Sequence, residues 1–103
     1  MNDLPVVCTL GPETLKIRRE NLLADLVQRV ASHEPLPDGY RLRFAVSEDV
    51  LSLITRTIDA ERRCCRFLRF QLTVEPADGP VLLDLTGPPG TRDFVAALFS
   101  SAR

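Results

Sequence analysis

Lysine, histidine and long apolar runs are nearly absent from this 103-residue sequence. Lys16 is the only lysine, and His33 is the only histidine, which by itself supports no catalytic triad. No apolar run approaches the roughly 20 residues that a membrane helix needs. Residues 1–7 also lack the basic and apolar regions of a secretory signal. These absences argue against a membrane protein and against a secreted one.

An excess of charge is also missing. The formal net charge is −1, which provides no global field to attract nucleic acid or an anionic membrane. A local basic patch does follow Asp59, at the spacing of ordinary helix-surface ion pairs. Its members are Arg62, Arg63, Arg66 and Arg69. We therefore expect a solvated face here and no nucleic-acid partner.

Cysteine is scarce as well, and its number is odd. There are three cysteines, two of them adjacent, and no signal sequence precedes them. This usage indicates a reducing compartment, and we predict a cytoplasmic protein. The length, with 45% hydrophobic and 26% charged residues, is typical of one soluble globular domain spanning residues 1–103.

The spacing of apolar residues and turn signals predicts eight elements. They are a strand at 5–10, a helix from 12 to about 32, an edge strand at 33–36, a strand at 40–44, a helix at 47–65, strands at 68–74 and 81–85, and a last helix capped by Thr91. The order βαββαββα predicts a two-layer α+β domain, with helices on one face of a mostly antiparallel sheet.

Two apolar faces follow from these periods. In the second helix, the predicted buried stripe is Leu51, Ile54, Ile58, Glu61 and Cys65. In the strand that follows, alternate residues share a face: Leu68, Phe70, Leu72 and Val74 lie on one side, and Arg69, Gln71 and Thr73 lie on the other. The first stripe is unusual because it carries an acid.

Glu61 defines the candidate site. On a helix, residues three and four apart lie on one face, so Glu61 neighbours both Cys64 and Cys65. A buried carboxylate needs a partner or a proton. Arg19 lies on the apolar stripe of the first helix, so we predict a structural ion pair between Arg19 and Glu61. Under this interpretation both cysteines pack as small hydrophobic residues.

A metal site is the second interpretation. Two thiolates and a carboxylate could bind a soft or borderline ion, with a third thiolate from Cys8 if the first strand faces the second helix. The proposed ligands are Cys8, Cys64, Cys65 and Glu61. Adjacent cysteines point roughly 100° apart on a helix, which suits low-coordinate soft ions better than tetrahedral zinc. We expect no cofactor, and a soft metal ion is the alternative that the sequence leaves open.

Thiol chemistry is the third interpretation. A bridge between neighbours would span Cα atoms about 3.8 Å apart, below the roughly 4.4–6.8 Å of unstrained disulfides. A structural disulfide is therefore not expected, whereas a regulatory one or a nucleophilic Cys64 or Cys65, with Arg62 stabilising the thiolate, stays open.

The motif also resembles a known family. Glu61-Arg62-x-Cys64-Cys65-x-Phe67-Leu68-x-Phe70, followed by Val81-Leu82-Leu83-Asp84-Leu85-Thr86-Gly87-Pro88, is similar to a family of small bacterial proteins. Those proteins also have an early cysteine on the first strand, here Cys8, and an arginine in the first helix. The chain departs from the pattern at Arg66, where a proline is expected. The resemblance implies a shared fold and site and no particular substrate.

From these observations we expect a non-enzymatic cytosolic binding or assembly module that forms a small homo-oligomer. The alternatives are a thiol-based soft-metal or metalloid binder and a small thiol-dependent enzyme.

Overall fold

The computed structural model describes residues 13–101, apart from the side chains of residues 13–16, 18, 19 and 101. Three helices and four strands are present in this part of the chain. They are α1 (Glu13–Arg29), β1 (Val30–Leu36), β2 (Gly39–Phe44), α2 (Val50–Cys64), β3 (Arg69–Val74), β4 (Val81–Thr86) and α3 (Thr91–Ser101). The order follows the prediction from the first helix onward. The predicted strand at 5–10 lies outside the described residues.

The sheet is antiparallel throughout, with the strand order β1-β2-β4-β3. In β4, Val81, Leu83 and Leu85 are buried, whereas the alternate residues are only half-buried. The buried residues pack with the apolar residues of all three helices. The α+β class with helices on one face of the sheet is therefore confirmed. None of the helices within residues 13–101 is long and apolar enough to span a membrane.

The main core lies between this face of the sheet and the helices. Each fully buried leucine or phenylalanine contributes about 1.5–3 kcal/mol relative to an exposed one. The most enclosed side chains of this cluster are Leu26 of α1, Phe44 of β2, Ile54 of α2, Leu83 of β4 and Val95 of α3. One residue from each of five elements thus meets in a single core.

Helices α1 and α2 pack side by side. Arg29, the last residue of α1, bonds to Asp49 immediately before α2, so the two helices run antiparallel. The N-terminal end of α1 therefore lies towards the C-terminal end of α2.

The end of α1 differs from the prediction. The helix ends at Arg29 rather than near Ser32, and β1 begins directly at Val30. Residues of β1 pair with β2 from Val30 to Leu36, with a register irregularity between Val30 and Ser32. Strand pairing with β2 therefore replaces the helix at residues that the helical spacing had assigned to α1. Pro35 lies on this edge strand, as predicted.

The buried stripe of α2 is rotated from the predicted one. Leu51 is 40% exposed, so its place in the predicted core was wrong. The helix packs against both α1 and the sheet, and its buried residues are Val50, Leu53, Ile54, Thr57, Ala60, Glu61 and Cys64. This wider stripe retains Ile54 and Glu61 from the prediction.

Thr91 does not cap α3 as predicted. It is the first residue of α3, is fully buried, and its hydroxyl donates a hydrogen bond to the Pro88 carbonyl oxygen at 2.6 Å. The residue before it is Gly90, whose φ of +99° lies in the region that favours glycine. Thr91 thus ties the first turn of α3 to the preceding loop.

Strand β3 has the predicted apolar face, and this face is only partly buried. Phe70, Leu72 and Val74 pair with the buried residues of β4, which places them on the helix side of the sheet. Even so, Leu72 is 37% exposed and Val74 is 56% exposed. Because β3 is an edge strand, these two side chains extend beyond the area that the helices cover.

Candidate functional site

Glu61 lies in the last turn of α2 and is only 3% exposed. The Cys65 thiol donates to its carboxylate, with 3.5 Å between Cys65 Sγ and Glu61 Oε1. The Cys65 backbone N–H also donates to the Glu61 carbonyl oxygen at 2.6 Å. The contact between the acid and the second cysteine, which helical spacing predicted, is therefore present.

The end of α2 positions the two cysteines differently. Cys64 is the last helical residue, whereas Cys65 has left the helix with φ −117° and ψ 74°. The Leu68 N–H then donates to the Cys65 carbonyl oxygen, closing a turn that leads into β3. Arg66 lies exposed within this turn. The helix thus ends at this point without the proline that the family resemblance implies.

The two thiols lie in an apolar cluster separate from the main core. Cys64, Cys65 and Phe67 are all 0% exposed, and Leu68 and Phe94 pack against them. The rings of Phe67 and Phe94 meet edge to face, with centroids 4.9 Å apart and planes at 85°. The cluster connects the end of α2, the start of β3 and the first turn of α3. Both cysteines are present as thiols.

Glu61 also lines a small cavity of about 10 Å³. A water molecule needs roughly 10–15 Å³, so the space holds one water at most. Its lining comes from all three helices and the sheet and includes Leu23, Leu83 and Phe99. A cavity of this size excludes any organic substrate.

Two of the predicted site residues cannot be placed. Cys8 and the side chain of Arg19 lie outside the described residues. The predicted Arg19–Glu61 ion pair and the predicted third thiol therefore stay predictions. The antiparallel packing of α1 on α2 is consistent with the pairing, because residues early in α1 lie towards the end of α2 that carries Glu61.

A metal-binding cluster does not form from the described side chains alone. Between residues 13 and 101, no group of three or more His, Cys, Asp or Glu side chains is arranged to hold a metal ion. Glu61, Cys64 and Cys65 would therefore need a further ligand from outside this range, such as the predicted Cys8.

The predicted basic patch contains ordinary helix-surface pairs. Asp59 Oδ1 lies 3.7 Å from Arg62 Nη1, and Asp59 Oδ2 lies 3.3 Å from Arg63 Nη2. All three side chains are exposed. Pairs of this kind contribute little, about 0–1 kcal/mol each. Arg66 and Arg69 are exposed as well. The arrangement is that of a solvated helix end.

A groove that the sequence did not indicate lies between α1, α3 and the sheet, and it shares Phe99 with the cavity that Glu61 lines. It has a volume of about 360 Å³ and is lined by residues that include Val27, His33, Tyr40 and Phe99. The rings of His33 and Tyr40 lie 5.9 Å apart at its rim. These residues come from α1, β1, β2 and α3. Sequence spacing does not bring them together, so the groove is visible only in the tertiary structure.

Comparisons with protein-family models, with curated proteins and with solved structures found no match for this chain.

Proposed function

We propose that this protein is a non-enzymatic binding or assembly module in which Glu61, Cys64 and Cys65 belong to the core. The single observation that supports this proposal best is the complete burial of both thiols. A reactive cysteine must be accessible as a thiolate, and catalytic or redox cysteines are partially exposed. Cysteines that are buried beside aromatic rings typically pack as small hydrophobic residues of a protein core.

The position of the cluster gives these cysteines a structural task. Cys64 ends α2, Cys65 begins the turn, and Phe67 leads towards β3 while contacting Phe94 of α3. The cluster thereby fixes the angle between a helix end and the edge strand that follows. A rigid edge strand suits a protein whose work is to bind a partner through its surface.

Glu61 fits the same role. A buried carboxylate requires hydrogen bonds or a counter-charge, and the Cys65 thiol supplies one hydrogen bond. We propose Arg19 as the counter-charge, which makes Glu61 an ionic link between α1 and α2. A buried pair of this kind fixes one arrangement of the two helices, because any shift leaves a charge uncompensated.

Cellular location and partners follow from the same features. The presence of Cys64 and Cys65 as thiols supports a reducing compartment, and we propose the cytoplasm. The net charge of −1 supports a protein partner rather than nucleic acid.

Alkylation of the native protein with iodoacetamide, mapped by mass spectrometry, tests this function. We expect Cys64 and Cys65 to resist modification in the folded chain and to react after unfolding in urea. A Cys8→Ser variant serves as the control, because it removes the third thiol and leaves the pair intact. Rapid alkylation of Cys64 or Cys65 in folded protein would overturn the proposal and favour a thiol enzyme.

A thiol-based soft-metal or metalloid binder is the second candidate. It is favoured by the 3.5 Å approach of Cys65 Sγ to Glu61 Oε1, with a second thiol adjacent in sequence. With Cys8 as a further ligand, three sulfurs and a carboxylate would surround a soft ion. Elemental analysis of protein purified without chelator, followed by titration with Cd²⁺, tests it. One bound equivalent that is lost in Cys8→Ser would support this function, and no binding would exclude it.

A further inference from the structure

In the part of the chain that the structure describes, strand β3 lies at one edge of the sheet. Within residues 13–101 it pairs with β4 alone, and five of its six residues are exposed. The sixth residue, Phe70, is half-buried. Exposed edge strands present a row of backbone N–H and C=O groups that another strand can pair with. The apolar side chains of Leu72 and Val74 add an exposed strip to this edge.

The two edges of the sheet differ in how they are protected. The opposite edge, β1, contains Pro35, which cannot donate a ladder hydrogen bond, and Glu34, which lies beside Arg41. Proline and charge are common devices against unwanted strand pairing. Strand β3 contains no proline, and its one charged residue, Arg69, lies on the same outer face of the sheet as Glu34 of β1. Pro35 is therefore the feature that distinguishes the two edges.

We propose that a second copy of this chain docks on β3, antiparallel to it, across a two-fold axis at Leu72. This inference rests on the proposed function and names the partner of the assembly module. It gives the following cross-strand pairs: Leu72 with Leu72, Gln71 with Thr73, Phe70 with Val74, and Arg69 with Glu75. Each pair except the central one occurs twice, as an isologous interface requires.

The register is selected by both faces of the strand. On the helix side, the two Leu72 side chains cover each other, and Val74 of each copy covers the remaining exposed part of Phe70 of the other. On the other side, each Arg69 lies opposite a Glu75, and opposite charges in directly facing positions stabilise a strand pair. A slip of one residue would turn the apolar side chains to the wrong face. A slip of two residues retains the faces but separates Arg69 from Glu75.

In the resulting dimer, the four described strands of each copy join into one continuous antiparallel sheet. Its interface consists of one six-residue strand per copy and the adjoining Glu75. Interfaces of this kind fall at the small end of the known range, below about 1,200 Å². We therefore expect a concentration-dependent dimer with a dissociation constant on the order of micromolar.

Charge exchange at the two ends of the strand tests this register. Sedimentation equilibrium of the full chain should show a monomer–dimer equilibrium. Arg69→Glu alone brings two glutamates together at each end, and Glu75→Arg alone brings two arginines together. We expect each single variant to dimerise at least about 10-fold more weakly than the wild type. The double variant should recover wild-type association.

The strongest test mixes the two single variants. A chain with Arg69→Glu complements a chain with Glu75→Arg at both ends of the interface, so the mixture should form a heterodimer. Arg92→Glu on α3 is the matched control, because it makes the same charge change on an exposed residue outside β3. It should leave association unchanged, and circular dichroism should show that every variant is folded.

Two outcomes would overturn the inference. One is a chain that remains monomeric up to about 1 mM. The other is a dimer whose association is insensitive to the changes at Arg69 and Glu75. The alkylation experiment is independent of both: reactive cysteines would remove the proposed function and leave the dimer in place, whereas a monomer with inert cysteines would remove only this interface.

Discussion

Arg29 donates two side-chain hydrogen bonds to Asp49, from Nη1 to Oδ1 at 2.9 Å and from Nη2 to Oδ2 at 2.8 Å. The pair joins the last residue of α1 to the residue that precedes α2. These hydrogen bonds and the charge of Arg29 lower the pKa of Asp49 from 3.8 to about 2, against a smaller opposing effect of burial.

The lowered pKa predicts how stability changes in acid. Because the native state holds the Asp49 carboxylate ionised, its stabilisation is fully present above the ordinary pKa of 3.8 and is lost as pH falls through about 2. Asp49→Asn should therefore be less stable than the wild type near neutral pH, and the difference should shrink in this acid window. Urea unfolding at several pH values measures it.

Glu48→Gln is the control for this experiment. It removes the neighbouring carboxylate, which is exposed, and leaves the Arg29–Asp49 pair intact. Its stability should follow the wild-type pH profile. An Asp49→Asn profile parallel to that of the wild type would show that the pair does not contribute.

The proposed buried pair makes a second prediction. Arg19→Leu alone should lower the free energy of unfolding by about 3–5 kcal/mol, because it leaves the buried Glu61 carboxylate without its counter-charge. Chemical denaturation measures the change. Combining it with Glu61→Leu should recover much of the loss, since two apolar residues can replace a buried pair.

Arg18→Leu is the matched control, because it removes an arginine one position away and about 100° around the helix. We expect it to change the unfolding free energy by no more than about 0.5 kcal/mol. A loss under about 1 kcal/mol in Arg19→Leu would exclude the ion pair.

The aromatic cluster makes a third prediction. Phe67→Ala should cost about 3–5 kcal/mol in unfolding free energy, because it leaves a cavity beside Phe94. Cys64→Ala removes one buried sulfur and should cost clearly less. Thermal and urea unfolding measure both variants. Folded Cys64→Ala protein with retained dimerisation is expected if the cysteine is structural.

Phe67→Leu is the control for aromatic packing, since it retains an apolar side chain of similar size and should cost less than about 1.5 kcal/mol. Equal losses for the leucine and alanine variants would contradict a role based on volume and point to the edge-to-face contact itself.

Local patterns predicted most of the described fold. Period-two alternation identified β2 and β4, and the Pro37-Asp38-Gly39 turn joined the first hairpin where expected. The end of α1 was misplaced because pairing with β2 is a long-range interaction that helical spacing does not encode. The exposure of Leu72 could not be predicted for a similar reason, since alternation gives the face of a strand but not its place in the sheet.

The candidate site was predicted only in part. Helical spacing brought Glu61 to Cys65, and the structure places them in contact. Spacing could not show that Phe94, some 30 residues later in the chain, encloses the same thiols. The depth of the cysteines depends on how α3 packs, and one sequence without its tertiary contacts does not contain that information.

Proline in β1 has a consequence for the size of any assembly. A sheet with two edges that can each pair with a strand of another chain can add subunits without limit and grow into a fibre. In the proposed dimer, pairing through β3 occupies one edge of the described sheet, and Pro35 disfavours pairing at the β1 edge. We therefore expect association to stop at a dimer and not to continue into a fibre.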